Sequence, residues 1–263
     1  MKKLVNLLRS SSIPEEDIDG QGRLNSHARI LDNKQMLREV FTEFHHKFKQ
    51  CNHKYFSGKG IEVELGCGIS PIRDSYPDVL ATDVVHAPHL DRVIDSQAMT
   101  FADGSVRAVY GQNCFHHFPD PSKFFNELDR VLIPGGGAVL IEPYYGPLAN
   151  FLYNRMFQTE QFDKTAPSWK TPVAGPMSGA NQALSYMVFV RDRMEFERRH
   201  PTLKIVHQST CTNHLRYLLS GGLNFKQLCP DILTPMVDLI QWILSPFNPL
   251  LSLHHMIVIR KDI

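Results

Sequence analysis

An alternation of short apolar runs with helical punctuation constrains this chain more than any other feature. Runs of strand length occur at IEVEL (61–65), VLATDVV (79–85), RVID (92–95), VRAVYG (106–111) and AVLIE (138–142). Helical signals separate the later ones. Asp120 and Pro121 read as an N-cap followed by the first helical residue, Phe124, Phe125, Leu128 and Val131 share one face, and Pro134 with Gly135 stops the helix. Strands that alternate with helices build a mainly parallel sheet covered on both faces, so an α/β architecture is expected. LKIV (203–206) and MIVIR (256–260) read as the last two strands, the second antiparallel because no crossover helix follows it.

At 263 residues, with 43% hydrophobic and 21% charged residues, one sizeable core is the expectation and a disordered chain is excluded. Lys and Arg number 28 against 27 Asp and Glu, so the net charge of +1 offers no excess to bind a polyanion, and nucleic acid is not an expected partner. Five scattered cysteines with no CxxC pair argue against a disulfide framework or a zinc knuckle and for a reducing, cytoplasmic setting. The apolar run after Lys3 is too short for a secretory leader, so no export is expected.

Before the first strand, Leu37, Val40, Phe41, Phe44 and Phe48 fall on one helical face, which predicts a long amphipathic helix from about Ser26. Residues 1–57 are therefore read as an N-terminal helical segment and 58–263 as the main domain. Between 144 and 201 the pattern turns aromatic and rich in Gly and Pro, too long for a plain connection, and reads as an insertion lying over the site as a substrate lid, with the Gly175–Gly179 stretch mobile. Near the end, Thr234 and Pro235 open a further helix whose polar stripe is Asp238, Gln241 and Ser245. At about 1.5 Å per residue it is too short to span a bilayer. Three roles fit residues 233–249: a buried flanking helix, a wall of an apolar substrate tunnel, or a peripheral membrane contact.

The chemistry concentrates where strands end. Glu64-Leu65-Gly66-Cys67-Gly68 closes the first strand, with glycines that let a ligand approach the backbone and a following turn expected to start a helix whose free N–H groups favour an anion. Asp83 ends the next strand, where a carboxylate can accept from both hydroxyls of a ribose.

From about Gly60 to Pro143 these motifs resemble the class I S-adenosylmethionine-dependent methyltransferases, in particular the small-molecule (type 11-like) group. The resemblance implies a Rossmann-like, doubly wound, mostly parallel seven-stranded sheet with an antiparallel last strand. It implies that Glu64, Gly66, Cys67 and Gly68 wrap the methionine half of S-adenosylmethionine, that Asp83 with neighbouring Val84 holds the ribose, and that Asp95 with Ser96 holds the adenine. Gln112 and Asn113 are similar to the end of the family's fourth strand, and Leu132 to Gly137 to its Pro-Gly-Gly turn. The customary third glycine is Ser70, followed by Pro71. A nicotinamide enzyme is the rival reading, but the third position of its pyrophosphate-binding glycine motif is that proline. A methyltransferase-like protein that binds without turnover is the second alternative.

His116 and His117 stand where family members often carry a histidine near the transfer centre, and either is a candidate general base. The adjacent pairs His45–His46 and His254–His255 diverge on a helix or strand and make poor chelates, so no metal is assigned. In the insertion, Tyr144, Tyr145, Asn181, Arg191 and Arg193 are candidate substrate contacts, the two arginines being too close in sequence to share a helical face. The sequence has Asn113-Cys114-Phe115-His116 where a base N-methyltransferase carries Asn-Pro-Pro-aromatic. The expected reaction is therefore O-methylation of a small metabolite, glycan or lipid intermediate by in-line methyl transfer.

Overall fold

The computed structural model describes residue 8 and residues 21–156, 160–172, 175 and 180–262. Seven strands form one sheet: β1 Ile61–Leu65, β2 Leu80–Asp83, β3 Arg92–Val93, β4 Val106–Gln112, β5 Leu132–Pro143, β6 Leu203–Thr210 and β7 His254–Lys261. Their spatial order is β3-β2-β1-β4-β5-β7-β6. Only β7 runs against the others, pairing antiparallel with both β5 and β6, while the pairs from β3 to β5 are parallel. The expected seven-stranded, Rossmann-like sheet with an antiparallel last strand is what the chain forms.

Because both faces are covered, β5 and β7 are apolar through their middle residues, and alternate residues serve opposite cores. Along β5, Ala138 and Leu140 belong to one core while Val139 and Ile141 belong to the other; along β7, Ile257 and Ile259 oppose Met256 and Val258 in the same way. One face is covered by α2 (Gln35–Tyr55), which buries Leu37, Val40, Phe41, Phe44 and Phe48 against the sheet. The other face is covered by α3 (Pro121–Val131). It begins as expected, the Asp120 carboxylate accepting the Ser122 N–H at 3.2 Å with Pro121 behind it.

Three expectations change. The N-terminal helix is broken into α1 (Gln21–Asp32) and α2, and at the break Lys34 turns inward to donate from Nζ to the carbonyls of Gly222 at 2.7 Å and Phe225 at 2.6 Å. Since α2 shares a core with β4, β5 and β7, the boundary at residue 57 marks order along the chain and does not separate cores.

The stretch after β5 does not act as one unit. It carries α4 (Pro147–Arg155), then α5 (Leu184–Tyr186), a π-helical turn Met187–Arg191 and α6 (Arg193–Arg199). Leu184, Met187, Val188, Phe189 and Phe196 are fully buried with Phe124 and Phe125. This second half is the crossover that covers the sheet between β5 and β6. Most of the Gly175–Gly179 stretch lies outside the described residues.

The third change concerns the helices after α7 (His214–Ser220), namely α8 (Thr234–Ile243) and α9 (Asn248–Leu251). The polar stripe of α8 faces the protein: Gln241 Oε1 accepts the N–H groups of Leu215 and Arg216 at 3.0 and 3.2 Å, and Asp238 pairs with Arg216 Nε at 2.8 Å. Apart from the buried Val237, its apolar side chains face outward, with Trp242 73% exposed and Met236, Leu239 and Ile243 all above half. The helix is neither buried nor part of the cavity wall described below. Among the described residues no helix is long and apolar enough to cross a membrane.

Candidate active site

In this strand order the chain leaves β1 towards β2 on one side, and β4 lies on the other, so a crevice opens at the carboxyl ends of these strands, where open α/β sheets bind ligands. A cavity of about 520 Å³ occupies that crevice. Its walls come from the turn after β1, the end of β2, the segment at 94–97, the residues after β4, the end of β5 and the loop at 221–225.

All ten residues expected to hold the cofactor line this single cavity: Glu64, Gly66, Cys67, Gly68, Asp83, Val84, Asp95, Ser96, Gln112 and Asn113. Gly66 and Gly68 both have left-handed backbone, with φ of +62° and +56°. They differ in what a side chain would meet. A Cβ on Gly66 would sit 2.7 Å from Cys114 Cβ, inside the protein, whereas one on Gly68 would have nothing within 4 Å. The requirement at Gly66 is thus imposed by packing against β4, and the close approach of a ligand is possible at Gly68.

Asp83 ties the turn to β2. Its Oδ2 accepts the Gly68 N–H and its Oδ1 the Val85 N–H, each at 3.0 Å. His89 Nε2 lies 2.6 Å from the Gly68 carbonyl on the other side of the turn. Glu64 is fully buried and accepts the Ile72 N–H at 2.7 Å. Burial pushes its carboxyl up to about 8, against the pull of that N–H and with help from the nearby Asp74 and Asp83. The expected anion-binding helix start is absent here: only a three-residue 3₁₀ turn, Ile72–Asp74, follows Pro71. Proline brings no N–H, and two carboxylates take the N–H groups of Gly68 and Ile72. A turn lined by acids suits a cation or neutral hydroxyls and repels a pyrophosphate.

After β4 the chain reverses through Asn113, the one described non-glycine residue with positive φ (50°). Asparagine tolerates that region. The buried Oδ1 of Asn113 and Oε1 of Gln112 have no protein partner. A 3₁₀ turn, Phe115–His117, follows and is organised from below by Glu142 at the end of β5. The Glu142 carboxylate accepts the N–H groups of Cys114, Phe115 and His116 at 3.0, 2.9 and 3.3 Å, and the ring Nδ1 of His116 at 2.6 Å.

On its other side, His116 Nε2 lies 3.2 Å from Glu160, and His117 Nε2 lies 3.8 Å from the same carboxylate. Burial alone would lower the His116 pKa, but Glu142 and then Glu160 outweigh it and raise it to about 10. Beneath them, burial and the nearby His116 hold His254 down at about 3, so it stays neutral. On the tight turn the two adjacent rings face one side, with centroids 4.2 Å apart, which a regular helix or strand would not allow.

The five residues expected to touch substrate do not line the cavity. Tyr144 and Tyr145 pack against each other and against His255 with their rings tilted or edge-on. Asn181 is buried, its side chain bridging the backbone of Asp163 and Ala183, and its own N–H donates to the His116 carbonyl at 3.2 Å, which helps to seat the histidine turn. Arg191 pairs with Asp192 and donates to the carbonyls of Lys164 and Ala166, and Arg193 pairs with Glu197 on the surface. Residues absent from the sequence reading take their place: Tyr153 on α4, Glu160, Gln182, Tyr217 on α7 and the loop Gly221–Phe225. Only the Ser-Gly-Gly signal at 220–222 marked that loop in the sequence.

Residues 63–140 match the family described as methyltransferase domain. The likeness to methyltransferases is carried by this segment. It spans β1 to β5, the part of the chain that carries the glycine turn, Asp83 and the histidine turn. The chain is similar to the chloroplastic tocopherol O-methyltransferase of Arabidopsis thaliana, 29% identical over 90 residues, which are 34% of this chain and 26% of that enzyme. It is also similar to an uncharacterized methyltransferase of Mycobacterium sp. (strain JLS), 49% identical over 43 residues, or 16% of this chain and 17% of the relative. These alignments cover about a quarter or less of the relatives' own lengths. Among solved structures, geranyl diphosphate C-methyltransferase from Streptomyces coelicolor A3(2) is 14% identical with a TM-score of 0.49, over 91% of this chain and 84% of that one.

Proposed function

We propose that this chain is an S-adenosylmethionine-dependent methyltransferase that methylates an oxygen of a small acceptor: a metabolite, a glycan or a lipid intermediate. One observation carries the reading. A single cavity runs from the glycine turn and Asp83 to the histidine turn and Glu160, so the groups suited to a cofactor and the groups suited to an acceptor line one space.

The residues fit the cofactor in kind. Asp83 has two oxygens with about four acceptor directions, of which the backbone uses two, leaving two for ribose hydroxyls. The unpartnered oxygens of Gln112 and Asn113 are acceptors suited to amine or ammonium donors, and Glu64 supplies a buried acid beside the same turn. Asp95 and Ser96 line the part of the cavity beyond β3 and would hold the adenine. S-adenosylmethionine, when bound, supplies an electrophilic methyl group on a sulfonium.

The protein's part is to hold the acceptor in line and exclude water. An alcohol acceptor also needs a place for its proton. His117 and Glu160 face the cavity and are the groups placed to orient that hydroxyl and take its proton, while His116, held by carboxylates at both ring nitrogens, fixes the turn that presents them. A dinucleotide enzyme is disfavoured by the acidic, helix-free turn after β1. The outward apolar face of α8, continued by exposed Phe247 and Leu250, supports peripheral contact with a membrane or other apolar surface.

The test is calorimetric binding of S-adenosylhomocysteine, followed by incubation of the chain with S-adenosylmethionine and a panel of hydroxyl-bearing acceptors. Gain of one methyl group on oxygen, by mass spectrometry, is the expected result. Tight cofactor binding with no methyl transfer to any acceptor, and none to the protein itself, would favour a binding protein without turnover.

A further inference from the structure

From the geometry of the histidine turn we infer that His116, His117 and Glu160 form a binding site for a first-row divalent cation, with an open position facing the cavity. Each residue offers one ligand atom, and the three atoms lie within 4.8 Å of one another. Around a tetrahedral ion with bonds of about 2.0–2.1 Å, ligand atoms stand about 3.3 Å apart. The His116 Nε2 to Glu160 separation of 3.2 Å is already there, and the 3.8 Å from His117 Nε2 to Glu160 needs a small swing of one ring.

A second observation concerns how His116 is aimed. Its Nδ1 lies 2.6 Å from Glu142, whose carboxylate also receives three backbone N–H groups. Glu142 therefore holds the Nδ1 side of the ring and turns Nε2 towards Glu160, the carboxylate–histidine arrangement that orients metal-ligating imidazoles. Without an ion, a proton on Nε2 bridges the 3.2 Å to Glu160. A divalent cation bound there takes that proton's place and draws in His117 as third ligand.

The burial follows the same logic. His116 is enclosed by protein, while His117 and Glu160 are half-buried at the cavity wall, so the three protein ligands come from one side and the fourth position is left to the cavity. Two imidazoles with one carboxylate select a cation such as Zn²⁺, Co²⁺ or Fe²⁺ over Mg²⁺ or Ca²⁺, which prefer all-oxygen sets. The open position would take an oxygen of the acceptor. That last role rests on the proposed methyl transfer, whereas the cation site rests on its own geometry. With a cation seated, the acceptor's oxygen would bind the ion instead of hydrogen-bonding His117 and Glu160, and its hydroxyl, acidified by the ion, would release its proton to water in the cavity.

The experiment uses the full chain after treatment with a chelator, titrated with Co²⁺ alone and followed by its visible absorption and by calorimetry. The expected result is one Co²⁺ per chain, with affinity falling at least tenfold in both Glu160→Gln and His117→Ala. Glu142→Gln, which removes no ligand, should weaken Co²⁺ by about 10- to 100-fold through the loss of orientation. Circular dichroism on each variant confirms folding, and Glu160→Gln is the secure one because its side chain is at the cavity wall. Absence of Co²⁺ binding by the unmodified chain, or equal binding by all three variants, overturns the site. S-adenosylhomocysteine binding is measured on the same samples. Cofactor binding without Co²⁺ binding removes only the cation site, and Co²⁺ binding without cofactor binding removes only the methyl-transfer reading.

Discussion

Replacing Asp83 tests the cofactor site most directly, because its two oxygens are divided between the protein and the cavity. Asp83→Ala removes the acceptor for the Gly68 N–H and for the Val85 N–H, both at 3.0 Å. It also removes the two acceptor directions assigned to ribose hydroxyls. A hydrogen bond to a charged group contributes about 1.5–3 kcal/mol. Loss of even one towards the ribose lowers affinity by about tenfold to somewhat over a hundredfold, at about 1.4 kcal/mol per tenfold. Release of the Gly68 N–H adds to this by loosening the turn that the ligand needs in place.

Asp83→Asn is not a milder change. A carboxamide has one oxygen and one NH₂ group, so the NH₂ must point at one of two backbone donors, and one N–H is opposed instead of accepted. Asn is thus expected to bind no better than Ala. Calorimetry with S-adenosylhomocysteine measures the affinity, and thermal unfolding separates it from stability, where water can replace part of the lost bonding because Asp83 is only half-buried. Affinity within about twofold of the unmodified chain in Asp83→Ala, or near-normal affinity in Asp83→Asn beside a large loss in Asp83→Ala, would refute the reasoning.

Three further outcomes are expected. Gly66→Ala should lower the unfolding temperature more than Gly68→Ala, since only its Cβ meets Cys114, while Gly68→Ala should lose more cofactor affinity per degree lost; parallel losses in both properties would contradict the division. Because burial raises Glu64 to about 8, the folded chain holds a proton that the unfolded chain releases above about 4.5. Glu64 thus adds stability that is present at low pH and lost as pH rises through about 8, and Glu64→Gln should flatten that part of a stability profile measured by urea unfolding. Finally, Leu239→Glu combined with Trp242→Glu, at exposed positions, should leave stability nearly unchanged and abolish sedimentation with lipid vesicles; vesicle binding that survives the change removes the α8 face as the contact.

Much of the sheet was legible because both-face burial leaves a direct trace. Ala138 to Ile141 and Met256 to Ile259 are continuous apolar runs, and they alternate between two cores without a polar residue. Asp120 and Pro121 fix the start of α3 by local chemistry alone, and Asp83 ends a strand whose register puts it beside the glycine turn. Where tertiary contacts decide, the trace fails. Lys34 breaks the first helix because carbonyls from Gly222 and Phe225, 188 and 191 residues on, receive its ammonium. The stripe Asp238, Gln241 and Ser245 looks like a solvent face by periodicity, yet Arg216 and the free N–H groups at the start of α7 draw Asp238 and Gln241 inward and leave the apolar side out.

The polar centre of the site shows the same limit more sharply. His116 and His117 stand out in the sequence, but the partners that give them a role are Glu142, at the end of an apolar strand, and Glu160, in a stretch without any motif. Neither glutamate has a neighbour that marks it. Adjacent histidines diverge on regular secondary structure and so make poor chelates there. A 3₁₀ turn capped by three N–H bonds to Glu142 changes the geometry and brings both Nε2 atoms towards one carboxylate. What makes the pair a centre is therefore the sheet itself: β4 and β5 are parallel neighbours, so their carboxyl ends emerge together and place an acid from one beneath the turn that follows the other.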